Sequence, residues 1–166
     1  MYLVATPLAA PVRVFDSRRQ SGDRPATPLG WDETVTVALG TIPVGTGAVA
    51  LNVTALDTDG MAFVTVFPHT APIPNASNVN LDAGGEVRPN QVVVPVSNDG
   101  WIDVFTEQAT NLIIDVAGYY TDASAPSSGT GLFVPASPSR LLDTRPLSRI
   151  GYSGGKPAAG SVVRVI

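Results

Sequence analysis

Apolar side chains recur at every second position over several short stretches. This period confines those stretches to strands, because successive side chains of an extended chain point to opposite faces. Val35, Val37 and Leu39 fall on one face with Thr34 and Thr36 on the other, and Val49, Leu51 and Val53 alternate with Ala48, Ala50, Asn52 and Thr54. Further segments of this kind run over Met61 to Phe67, Ser77 to Leu81, Asn90 to Val96, Trp101 to Phe105 and Leu112 to Tyr119. Turn-forming stretches separate them at Asp57 to Gly60, Pro68 to Pro74, Asp82 to Gly85 and Asn98 to Gly100. A spacing of about 8 to 14 residues is that of antiparallel sandwiches and barrels. With 16 glycines and 15 prolines, no window of a dozen residues carries a helical apolar stripe uninterrupted, so almost no helix is expected. The fold expected is all-β, an antiparallel sandwich or barrel-like domain. Asn98-Asp99-Gly100 further predicts a tight hairpin that pairs Val94 to Val96 with Trp101 to Val104.

A repeat organises the rest. Pro11 to Arg18 reads PVRVFDSR and Pro138 to Arg145 reads PSRLLDTR, and the same ungapped offset carries Glu33 to Leu39 onto Gly160 to Ile166. Between the copies, Thr121 to Thr130 (TDASAPSSGT) loses the alternation and has linker composition. The expected organisation is a β-domain over 1–120, a linker over 121–131, and a partial second repeat of the opening strands over 132–166. Two strands alone leave an unpaired edge and an uncovered apolar face. Leu141, Val163 and Val165 have strand character, so the segment is expected to dock, either as an arm donated to a neighbouring subunit or folded back on its own domain. In both copies an aspartate precedes an arginine by two positions, Asp16 with Arg18 and Asp143 with Arg145, which on a strand puts both on one face. A local ion pair or an aspartate-to-backbone clamp is expected; a ligand site of carboxylate and guanidinium is the functional alternative.

Charged residues make up 14% of the 166, well below the usual quarter, and mean hydropathy is +0.20. Such a surface points to contacts with neighbours and a homo-oligomer, the alternative being a monomer whose surface is Ser, Thr, Asn and Gly. A net charge of −4 argues against nucleic acid, which needs clustered basic residues, and no apolar run is long enough to span a bilayer as a helix. Cysteine is absent, which removes disulfides, thiolate nucleophiles and thiolate metal sites. Met1 to Val12 has no basic residue and is interrupted by Pro7 and Pro11, so it does not read as a signal peptide.

The ordered motifs RVFDSR, VALNVTA, GMAFVTVFP, SNVNL, NQVVVPV, GWIDVF and LIIDVAGYY together resemble a tandem module of secreted, wall-associated proteins of actinobacteria and of virion proteins of their phages. The resemblance covers Ala10 to Tyr120 and restarts at Phe133. It implies an all-β fold and no catalytic residues.

Little chemistry is legible. His69 is the sole histidine, in a Pro-rich loop, and is expected to be an exposed loop residue; without a GxSxG elbow or a second ligand it makes neither a triad nor a zinc site. Asp57-Thr58-Asp59-Gly60 resembles the start of a calcium loop but lacks the closing glutamate, which favours a polar turn. Trp31, Trp101, Tyr119 and Tyr120 would stack on sugars if exposed together, though core or interface roles are favoured. No catalytic, cofactor or metal residue is assigned. Together with the resemblance and the lack of a signal-peptide pattern, this makes the expected function that of a non-enzymatic structural virion protein of an actinobacteriophage, a capsid decoration or stabilising protein assembling with a major capsid protein or another virion protein. The alternatives are a tail or fibre accessory and a wall-associated, carbohydrate-binding module at the bacterial surface.

Overall fold

The computed structural model describes residues 5–20, 24–40, 42–43, 45–82, 84–97, 99–121, 141–147 and 149–164. The chain divides into two compact units, residues 1–133 and 134–166. The first holds eight strands: β1 (Ala5–Asp16), β2 (Glu33–Ala38), β3 (Thr46–Leu56), β4 (Ala62–Pro68), β5 (Val79–Leu81), β6 (Val87–Pro95), β7 (Trp101–Thr106) and β8 (Asn111–Thr121). No helix occurs among the described residues. The strands make two antiparallel four-stranded sheets, ordered β1-β8-β3-β6 and β2-β7-β4-β5. The expected all-β fold is thus present as an open, sandwich-like pair of sheets and not as a closed barrel.

Burial follows the alternation. Val49, Leu51 and Val53 of β3 are fully buried while Asn52 between them is exposed. From the other sheet, Val64 and Val66 of β4 and Ile102 and Val104 of β7 enter the same core, joined by Leu112, Ile114 and Val116 of β8. Each such side chain contributes about 1.5–3 kcal/mol when removed from water, so a one-residue slip of register would expose the whole set. Where β1 crosses β8, a side chain at Gly118 would come within 2.8 Å of the Thr6 carbonyl oxygen, so only glycine permits that approach.

The expected hairpin is corrected. Gly100 adopts a φ of 80° and donates its N–H to the Ser97 carbonyl at 2.9 Å, so the Asp-Gly pair does turn the chain; Asn98 lies outside the described residues. Yet β6 pairs with β3, and β7 pairs with β2 and β4. β7 already uses both of its hydrogen-bonding edges, which leaves none for β6. The turn carries the chain across the core from one sheet to the other, with Val92 and Val94 before it and Ile102 and Val104 after it all buried.

In the second unit, Asp143 and Ile150 form an isolated antiparallel bridge with reciprocal backbone hydrogen bonds of 2.9 and 3.0 Å. The stretch aligned with β2 makes no strand over 161–164, contrary to expectation. In the first unit β2 receives its whole ladder from β7, and among the described residues of the second unit no strand pairs with 161–164. Leu141 and Val162 are exposed and Val163 is half-buried. Val165 and the linker residues 122–131 fall outside the described residues.

Candidate functional site

Asp16 closes β1 with its side chain almost wholly buried. Its carboxylate accepts the Arg18 backbone N–H at 3.2 Å, Arg18 Nε at 2.9 Å and Arg18 Nη2 at 2.9 Å, with Arg13 at 3.4 Å and Arg19 at 3.7 Å beyond. The Arg18 guanidinium, against the opposing cost of burial, holds the Asp16 carboxyl down at about 2. The second copy repeats the arrangement: buried Asp143 accepts the Arg145 N–H at 3.0 Å, Nε at 3.0 Å and Nη2 at 2.6 Å. One detail differs from the sequence expectation. Arg18 lies in the turn after β1, so the contact closes a turn instead of running along a strand face. Each fork takes both carboxylate oxygens, the geometry of a bidentate clamp rather than of a site open to a ligand.

The outer face of the β2-β7-β4-β5 sheet is more open to chemistry. Asp103 of β7 is buried there and its Oδ1 accepts the Thr36 hydroxyl of β2 at 2.7 Å and lies 2.9 Å from His69 Nδ1. The His69 ring also sits against Trp101, centroids 6.2 Å apart. His69 is therefore half-buried and paired, not the exposed loop residue expected. Nothing nucleophilic stands on the far side of its ring in this set: Thr36 and His69 address the same oxygen of Asp103, so the trio locks three elements together without forming a triad.

Beyond this lock, residues 69–78 fold back over the sheet. Thr65 Oγ donates to the Ala76 carbonyl at 2.8 Å, the Val66 N–H donates to Asn78 Oδ1 at 2.7 Å, and the Asn78 N–H donates to the Val64 carbonyl at 2.8 Å. Between this strap and the sheet lies a groove of about 620 Å³ whose floor is the aromatic pair Phe63 and Phe105, centroids 5.7 Å apart and tilted by 42°. Ile73, Asn75, Ser77 and Asn80 line its walls, and the Ser77 hydroxyl donates to Asn80 Oδ1 at 2.8 Å. Among the described residues no charged side chain lines it.

The four aromatic residues singled out from the sequence are not brought together. Trp31 and Trp101 are exposed at separate places, while Tyr119 and Tyr120 line a smaller cleft of about 240 Å³ beside β1. Asp57 adopts a left-handed φ of 54°, and the Thr58 hydroxyl donates to the Gly60 carbonyl at 3.2 Å, which makes this segment a tight turn. Among the described residues no three histidine, aspartate or glutamate side chains gather in a metal-binding cluster.

No family model matches this chain, and no curated protein sequence matches it.

Proposed function

We propose that this chain is a non-enzymatic structural protein of an actinobacteriophage virion, a capsid decoration or stabilising protein that works by oligomeric assembly. The observation that carries the reading is the free edge of the β1-β8-β3-β6 sheet. There β6 exposes Val87 and Val93 although the sandwich already has a complete core of its own. Large apolar side chains on an unpaired edge strand favour association with another chain. Pro89 and Pro95 remove N–H donors from that strand, which favours association through side chains over open-ended strand addition. The buried carboxylates Asp16, Asp103 and Asp143 are each tied to fixed partners, as befits a scaffold. The placement in a virion, beside a major capsid protein or another virion protein, rests on the resemblance of the strand motifs.

Mass spectrometry of purified particles, with light scattering of the pure chain, tests it. Co-purification with particles and a solution mass that is a multiple of 17.2 kDa are expected. A monomer absent from particles and retained on peptidoglycan or arabinogalactan would instead make it a wall-associated module.

A further inference from the structure

We propose that the groove between the Phe63–Phe105 floor and the strap 69–78 is a binding site for a neutral hexose unit of a glycan. Its chemistry is narrow. A volume of about 620 Å³ lies within the range of small-ligand clefts, roughly 300–1,000 Å³, and accommodates one or two pyranose rings. The floor is aromatic, and a ring face with its negative quadrupole attracts the slightly positive axial C–H groups of a sugar. The walls present amides and a hydroxyl, from Asn75, Asn80 and Ser77, which suit the paired donor and acceptor character of vicinal hydroxyls. Among the described lining residues there is no charged side chain, so uronates, phosphates and acidic peptides would find no counter-ion there.

The site is also built in advance. The strap is pinned to β4 by Thr65, Val66 and Asn78, and the Asn90 side chain donates to the Asn78 carbonyl at 2.6 Å. At the head of the strap, His69 is anchored to Asp103. Little ordering therefore remains to be done when a ligand arrives, which is how weak individual contacts yield measurable affinity. This site is independent of the assembly reading, because a particle protein and a wall module would use it alike.

Titration of the whole chain by NMR with neutral gluco-, galacto- and N-acetylgluco-hexasaccharides, and with a uronic-acid hexasaccharide as charged control, tests the site. Saturable binding of at least one neutral sugar is expected, with shifts confined to residues 63, 73–80 and 105. Phe105→Ala should weaken it by about tenfold or more, and Asn75→Ala, on an exposed loop, by several-fold at an unchanged melting temperature. If Phe105→Ala does not fold, Asn75→Ala and Asn80→Ala carry the test. The proposal is overturned by no saturable binding of any neutral sugar, by equal binding of the uronate, by affinity unchanged in the variants, or by Phe105→Ala dissociating an oligomer while leaving sugar binding intact.

Discussion

Asp16 and Asp143 stand at equivalent points of a repeat and grip their arginines with the same fork, so the clamp is a property of the motif and not of one location. Asp16→Ala should cost on the order of 1–3 kcal/mol by leaving Arg18 and its backbone N–H without their acceptor, read as a lowered melting temperature. The pH dependence has a definite sign. The Asp16 carboxyl is lowered from its ordinary value of 3.8 to about 2 in the folded chain, so its stabilisation is complete above the ordinary value and is lost as pH falls through about 2. Acid titration of wild type and Asp16→Ala should converge in that window; parallel curves would remove the clamp. The Asp-Arg pairs were legible because the repeat displays them twice and two positions suffice to define them. His69 was misread because its partner Asp103 is 34 residues away, and only the pairing of β4 with β7 brings the two together. Phe63 and Phe105 went unnoticed for a related reason. Alternation with Val64 and Val104 places them on the outer face, but says nothing of a strap that turns that face into a groove.

At the scale of elements, strand identity was largely written in the period of two, and partnership was not. The Asp-Gly signal reports local backbone geometry, which the structure contains, while sheet membership is decided by which edges of β7 are already taken. Gly100→Ala separates the two effects. Among the described residues no atom lies within 4 Å of the position a methyl group would take, so the cost expected is that of the positive φ, about 1 kcal/mol, measured as a shift in denaturation midpoint with the slope unchanged. The strap makes a second prediction. Thr65→Val removes the hydroxyl that holds the Ala76 carbonyl, so the amide of Asn78 should exchange with solvent faster while core amides such as that of Leu51 keep their protection. Uniform acceleration across the sheet would mean that the strap is not an independently opening segment.

For the whole molecule, the two units differ in what the same motif achieves. In the first, the segment after the clamp becomes β2 because β7 is there to pair with it. In the second, Arg164 stands where Val37 is buried in the first copy, and the apolar Val162 beside it remains exposed. A shortened chain ending at residue 133 should retain all eight strands by NMR, since every core residue lies within them or their connections. If the second unit serves assembly, that shortened chain should also lose the oligomeric state of the full chain in light scattering; an unchanged mass would assign assembly to the sandwich alone. The loss of alternation after Tyr120 agrees with the end of β8 at Thr121, whereas the absence of a strand over 161–164 could not be read, because strand formation depends on a partner outside the motif.

The pairing of β1 with β8 also governs when this protein becomes a folded object. Phe15 aligns with Ile114 and Asp16 with Ile113, so β1 has no neighbour until β8, the last strand of the sandwich, has left the ribosome. One edge of β3 waits for β8 as well, while the other can pair earlier with β6. Contacts this distant along the chain carry a high loop-closure cost before any reward, and chains dominated by them fold slowly, in about milliseconds to seconds. The β1-β8-β3-β6 sheet therefore cannot be completed until β8 has emerged; until then β1 stays unpaired and β3 can pair only with β6, while the other sheet already has all its strands. A stalled ribosome complex halted before residue 121 emerges should consequently be cut readily by protease, while release of ten or so further residues should confer resistance in a single step.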